Sequence, residues 1–303
     1  MVGNVIEVPA ELAASQEKFN GAAGRAFVAG LPRQAAGFLQ RWELRVDGPP
    51  MYGVCALVLP VVRADRTPAA LKLQLLDEES AGEPVALRVW DGDGAVRLLE
   101  HDESTGTLLL ERLDSSRTLA HVPDIREAVS VIGDLLARLT SVAAPAGMRR
   151  LGDIARGMLE RTPPALERVP DPADRRLLAD CAAAVREVAP EPGDRLLHWD
   201  LHYDNVLAAG RAAGGGRREP WLAIDPKPLA GDPGFELFPA LWNRYDPAGT
   251  VRRFDALTGS LGLDRERARA WTLGRVLQNF LWELGDGRPL PATDLEIGRA
   301  LRA

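Results

Sequence analysis

Two hydrophobic periods divide this chain. Up to about residue 113, short apolar runs alternate with turn-forming segments. VCALVLPVV (54–62) is a β-rich run, RADRTP follows as a turn, and AALKLQLL (69–76) is a second short apolar run with Lys72 in its middle. EESAGEPVALRVW (78–90) predicts a helix entered through Pro84, because proline is tolerated in a first helical turn. AVRLLEHD and TLLLERL, separated by DESTG, predict a hairpin. Strands and turns therefore dominate the first third.

The period changes after Leu113. DSSRTL reads as a polar connection, and helical spacing follows. Ile125, Ala128, Val129, Ile132, Leu135, Leu136 and Leu139 recur three and four apart, as one buried helix face requires. Leu177 to Val188 predicts another helix, and Leu273, Val276, Leu277, Phe280, Leu281 and Leu284 repeat the pattern. Between these helices lies RLLHWDLHYDNVLAA, then a glycine-rich tip, AGRAAGGGRREP, then WLAID, which together predict a hairpin with a flexible loop. Trp90, Trp242, Trp271 and Trp282, at helical or helix-edge positions, read as core. The outline is α+β: a β-rich lobe over 1–113 and a mainly helical lobe over 114–303 that carries one β-hairpin.

Composition narrows the class. The 303 residues are 46% hydrophobic and 26% charged, enough apolar surface to bury a core without disulfides or structural metals. Cys55 and Cys181 form no CxxC pair, which fits a reducing compartment. No basic-then-apolar leader opens the chain, and no apolar run approaches a membrane span. The expectation is a cytoplasmic protein with no membrane partner. A net charge of −6 with scattered basic residues argues against nucleic acid. No long exposed apolar stripe is visible, which favours a monomer. Lysine occurs only at 18, 72 and 227, arginine supplying the other cations, so each lysine is a candidate for a role that wants a compact ammonium.

The chemistry concentrates in His198-Trp199-Asp200-Leu201-His202-Tyr203-Asp204-Asn205 and in Asp225, which ends WLAID. Phosphoryl transfer needs a carboxylate to orient and deprotonate the attacking hydroxyl, hard oxygen ligands for Mg²⁺, and a cation on the nucleotide phosphates. H-x-D-x-x-x-x-N followed by a strand-borne aspartate supplies the first two. Asp200 takes the base role, Asn205 and Asp225 the metal roles, and Lys72 on its strand the phosphate role. His198 and His202 also have HxxxH spacing, which on a helix would suit zinc, but no glutamate follows His198 and the flanks read as strand and loop. His198 itself reads as a packing residue that holds the loop. Lys227 serves either to neutralise nearby carboxylates or in function.

HWDLHYDNVL, WLAIDPKPLAGDPGFE and VALRVWDGDGAVRLLEHDE resemble the aminoglycoside phosphotransferase family, and within it the streptomycin 6-phosphotransferase and hydroxyurea phosphotransferase subfamily. The resemblance implies a two-lobed protein-kinase-like fold and an ATP- and Mg²⁺-dependent O-phosphotransferase. It implies Glu83 as the partner of Lys72, with Glu79 as the alternative. It also implies that Glu111 to Leu113 is the hinge whose backbone holds adenine. DGPPMYG (47–53) stands where a phosphate loop belongs but lacks GxGxxG. Trp199 replaces the usual glycine, either narrowing the substrate site or packing under the loop. Asp232, Glu236 and Glu283 are candidate ligands for a cationic acceptor, each with a helix cap or surface charge as its plain alternative. Streptomycin or a related aminoglycoside is the acceptor the resemblance favours. The rivals are hydroxyurea or another metabolite, a catalytically idle nucleotide-binding protein, and a zinc hydrolase.

Overall fold

The computed structural model describes residues 6–210 and 220–302 and separates into two compact units. One contains residues up to 92, residues 96–114 and the stretch beginning at 209; the other contains the remainder, including 93–95. Each unit thus borrows a short piece of chain from the other's part of the sequence. Most of the glycine-rich tip lies outside the described residues.

The first unit begins with a helix, α1 (Ala10–Arg41), where the sequence pattern anticipated strands and turns. The reason lies in its composition. Its buried positions include Gln16, Gly24 and Ala35 beside Leu12, Leu31 and Phe38, and a kink at Gly21 (φ 53°) shifts the phase partway along. Neither half shows the long apolar stripe that marks a helix. The sheet follows: β1 (Arg45–Val46), β2 (Met51–Tyr52), β3 (Ala56–Val62), β4 (Pro68–Gln74), β5 (Leu98–Asp102) and β6 (Thr107–Glu111). It is antiparallel in the order β1-β3-β4-β6-β5, with β2 also on β3. The β5–β6 hairpin closes with Asp102 opposite Thr107, as the DESTG turn predicts. The helix expected over 78–90 begins only at Glu83: 78–82 is a turn, and α2 (Glu83–Trp90) carries Pro84 in its first turn. Leu12, Leu31 and Phe38 of α1 pack with Leu57, Leu59, Leu71, Leu73 and Leu109 of the sheet, forming this unit's core.

In the second unit DSSRTL is a strand, β7 (Asp114–Thr118), and not a connection. It lies at the edge of a three-stranded sheet, so polar side chains are tolerated and hide it from a hydrophobicity pattern. α3 (Ile125–Leu139), α4 (Leu151–Glu167) and α5 (Pro172–Val188) follow. α3 buries the seven-residue face read from its spacing, with Gly133 in place of Ile125, which is half-buried at the helix start. α4 escapes the pattern because prolines 163 and 164 fall in its last turns. Next come β8 (Arg195–Leu197), β9 (Val206–Ala208), β10 (Trp221–Ala223) and β11 (Leu229–Gly231). β9 pairs antiparallel with β10 and β8 with β11, so the segment makes two small sheets where the sequence suggested one hairpin. α6 (Phe238–Trp242), α7 (Thr250–Leu261), α8 (Arg265–Gly285) and α9 (Ala292–Arg302) complete the unit. Trp90 and Trp271 are buried as expected, but Trp242 and Trp282 are 48% and 38% exposed, correcting their assignment to the core. Among the described residues no helix is long and apolar enough to cross a membrane.

The docking of α1 on the sheet carries a measurable load. Leu31→Ala deletes a fully buried side chain at that contact. It should lower unfolding free energy by about 3 kcal/mol in a urea titration, the usual cost of a core leucine.

Candidate active site

Within the first unit, Lys72 sits in the middle of β4, opposite Val58 on one neighbour and Leu108 on the other. Its side chain reaches α2, where Nζ lies 2.7 Å and 2.8 Å from the two oxygens of Glu83. Both residues are almost fully buried. A buried pair costs desolvation and holds only when further hydrogen bonds satisfy it. Gln74 supplies one: its Nε2 donates to Glu83 Oε2 at 2.8 Å. Gln74 was not singled out from sequence, although i and i+2 on a strand share a face and so mark it as a neighbour of Lys72. Glu79 lies in the preceding turn, its N–H donating to Asp77 Oδ1. The glutamate that meets Lys72 is Glu83. Glu111 ends β6 with its N–H donating to Arg97 O and its Oε1 accepting from Arg97 N–H. Leu113 follows two residues on, 9% exposed.

Within the second unit, a loop between β8 and β9 and another between β10 and β11 lie against each other. His198 joins them. It is fully buried, its Nε2 is 3.0 Å from Ile224 O, and its Nδ1 faces the Asp200 N–H at 3.3 Å. A carbonyl accepts and an amide donates, so Nε2 bears the proton and the ring is neutral. Burial pushes its pKa down to about 3, which keeps it so. With both nitrogens engaged, His198 offers no lone pair to zinc. The Lys227 N–H donates to His198 O at 3.0 Å, and the Ile224 N–H to Asn205 O at 2.9 Å, completing the join.

That join brings together the oxygen atoms that the sequence marked as candidate metal ligands. Asn205 Nδ2 donates to Asp200 O at 2.9 Å, which fixes the amide. No hydrogen bond to Asn205 Oδ1 occurs among the described residues, so that atom is available as a ligand. Asp225 has a left-handed backbone, φ 57°, a conformation that persists at functional sites where the surroundings impose it. An amide oxygen and a carboxylate are hard donors of the kind Mg²⁺ prefers, and the residues present fit that ion. Lys227 Nζ lies 3.8 Å from Asp200 Oδ2 and 3.6 Å from Asp225 Oδ2, so one ammonium faces both carboxylates.

Trp199 also has a left-handed backbone, φ 68°, which explains why glycine is usual there and costs a tryptophan about 1–2 kcal/mol. Its ring is buried and packs under the loop. The guanidinium carbons of Arg149 and Arg275 lie 4.5 Å and 4.8 Å from its centroid, and the Trp282 ring is 6.1 Å away. Such cation–π contacts offset backbone strain of this size. Nothing in the sequence linked these residues to Trp199: Arg149 precedes α4, while Arg275 and Trp282 lie on one face of α8.

Each of the three proposed acceptor acids has at least one partner within the protein. Asp232 caps a 3₁₀ turn through the Gly234 N–H and pairs with Arg267 Nε at 2.6 Å. Glu283 makes a two-point pair with Arg288, at 2.5 Å and 3.2 Å. Glu236 is fully buried, and its Oε1 accepts the Trp199 N–H at 2.8 Å. Burial pushes its pKa up to about 7, against backbone hydrogen bonds from Trp199 and His198 that favour the charged form.

Over residues 41–287 the chain matches the family described as aminoglycoside/hydroxyurea antibiotic resistance kinase. It belongs to that family. A hydroxyurea phosphotransferase of Kitasatospora aureofaciens is 63% identical over 99% of this chain and 87% of its own length. A streptomycin 6-kinase of Streptomyces glaucescens is 54% identical over 98% of each. Among solved structures, a choline/ethanolamine kinase family protein from Mesorhizobium loti superposes with a TM-score of 0.60 at 18% identity, covering 84% of this chain and 88% of that one. The fold is the kinase-like α+β fold. Membership brings a nucleotide and a divalent metal in general. In this antibiotic resistance kinase the second unit assembles Asp200, Asn205, Asp225 and Lys227, and the first assembles Lys72, Gln74 and Glu83.

The buried acid of this kinase has a pH signature. From about pH 4.5 to 7 the unfolded chain releases the Glu236 proton while the folded protein retains it, so the residue costs stability as pH rises through that window. Glu236→Gln keeps an acceptor for the Trp199 N–H and removes that slope. The stability difference, variant minus wild type, should grow by about 3 kcal/mol across the window in denaturant titrations. A constant difference would mean that Glu236 is ionised in the fold throughout.

Proposed function

We propose that this kinase transfers the γ-phosphoryl group of ATP to a hydroxyl of streptomycin or a related aminoglycoside, with Mg²⁺ as the metal. The observation that carries the reading is the gathering of Asp200, Asn205 and Asp225 on two joined loops beside one ammonium. Asp200 orients the acceptor hydroxyl and takes its proton as the oxygen attacks. Asn205 Oδ1 and Asp225 hold the metal, which when bound neutralises phosphate charge. Lys72, fixed by Glu83 and Gln74, faces the α- and β-phosphates, and the hinge backbone from Glu111 to Leu113 holds the adenine. Nucleotide binding by a domain over 1–113 and acceptor binding by one over 114–303 follow from these roles. A dianionic phosphate on a cationic drug weakens its electrostatic fit to RNA, which accounts for resistance. We further infer a monomer acting in the cytoplasm.

Hydroxyurea is a second reading. Two observations favour it: the 63% identity to a hydroxyurea phosphotransferase, and the engagement of Asp232, Glu236 and Glu283 by partners inside the protein. A small neutral acceptor needs no free carboxylate. An idle nucleotide-binding protein is disfavoured by the intact set of Lys72, Asp200, Asn205 and Asp225.

ADP release with ATP and Mg²⁺, measured across streptomycin, other aminoglycosides and hydroxyurea, separates these readings. Wild type should show acceptor-stimulated release with one acceptor class. Asp200→Ala should lower it by at least about 10²-fold, the low end for a general base, with ATP affinity retained. Stimulation by hydroxyurea alone would replace the aminoglycoside reading, and ATP binding without stimulated release by any acceptor would count against both.

A further inference from the structure

We infer that Lys227 is a catalytic residue whose ammonium contacts the transferring phosphoryl group, an inference that rests on the phosphotransferase reading above. The two buried or half-buried lysines of the chain face different partners. Lys72 is locked: its ammonium makes hydrogen bonds of 2.7 Å and 2.8 Å to one carboxylate, with 6% of the side chain exposed. Lys227 is anchored through its backbone as well. Its N–H donates to His198 O at 3.0 Å and its carbonyl accepts from Arg149 Nη2 at 3.4 Å. Its side chain is 34% exposed, and its ammonium stands 3.8 Å from Asp200 and 3.6 Å from Asp225, both beyond hydrogen-bond length. A tethered ammonium that faces both carboxylates is placed to meet negative charge developing between them.

The location fits that task. The acceptor oxygen sits at Asp200 and the donated group arrives against the metal oxygens of Asp225, so an ammonium within reach of both faces the oxygens of the phosphoryl group in transit. In the step, the acceptor O–H proton passes to the Asp200 carboxylate and the acceptor oxygen forms a bond to the γ-phosphorus. The bond from that phosphorus to the β–γ bridging oxygen breaks, and its electron pair leaves with ADP. Lys227 neither gives nor takes a proton; it supplies positive charge where the phosphoryl oxygens gather negative charge, and such preorganised charge is worth about 10²–10³-fold in rate. Retention of lysine at three positions only, in a chain that otherwise uses arginine, accords with a need for a compact ammonium.

The test compares wild type with Lys227→Met and Lys227→Arg in two measurements. The first is calorimetric binding of ADP and Mg²⁺ with and without aluminium fluoride, a mimic of the phosphoryl group in transit. The second is kcat and KM for ATP with whichever acceptor the wild type uses. Lys227→Met should bind ADP within about 3-fold of wild type but lose most of the added affinity from aluminium fluoride, with kcat down about 10²-fold and KM for ATP nearly unchanged. Lys227→Arg should recover part of both. Wild-type affinity for the fluoride complex in Lys227→Met overturns the inference. So does an equal loss of ADP affinity and thermal stability, which would make Lys227 a static neutraliser of the two carboxylates. The binding arm decides the matter even if no acceptor is turned over, an outcome that would instead count against the phosphotransferase reading.

Discussion

Much of the second unit's chemistry hangs on one buried imidazole. His198 donates to Ile224 O on one loop and accepts from the Asp200 N–H on its own, so the two loops meet at a fixed separation. A charged ring could not do this, because imidazolium has no acceptor for the Asp200 amide. Burial pushes its pKa down to about 3, which favours the neutral form. With the ring in place, Asn205 and Lys227 take their positions through backbone hydrogen bonds that span the same joint. The proposed base, the metal ligands and the lysine therefore owe their mutual geometry to a residue that touches no substrate.

Around this joint the protein tolerates strain and buried charge. Trp199 and Asp225, each beside a loop crossing, both have left-handed backbones. Trp199 is retained there by two guanidinium groups against its ring and by Glu236 on its N–H. Glu236 carries a cost of its own, since an acid enclosed in the core resists ionisation. Concentrated strain of this kind is characteristic of sites that hold groups ready for reaction. The first unit does the same with a buried ion pair, made tolerable by Gln74.

How much of this was legible from the sequence depends on whether the signal was local. The strands carrying Lys72 and the hairpin at DESTG follow from short apolar runs and turn residues. The faces of α3 and α8, and the existence of a helix ending at Val188, follow from helical spacing. α1 and α4 were missed because alanine, glycine and proline blur the helical stripe, and β7 because an edge strand can be polar. Trp242 and Trp282 show that aromatic character alone does not place a residue inside.

The sequence by itself determined the chemical inventory: a carboxylate, an amide and a second carboxylate at the spacing of phosphoryl transfer, a strand lysine, and a motif set that identifies the family. Those features are contiguous, or repeat at short intervals, so one dimension suffices to read them. Only the tertiary structure decided which glutamate meets Lys72, that Lys227 faces both Asp200 and Asp225, and that Asp232, Glu236 and Glu283 are engaged internally. Apart from Glu283 with Arg288 and Lys227 with Asp225, which are near neighbours in sequence, these are contacts between segments distant along the chain. A side chain's partner across such a distance is set by packing, hydrogen bonding and charge in three dimensions, which no local pattern encodes.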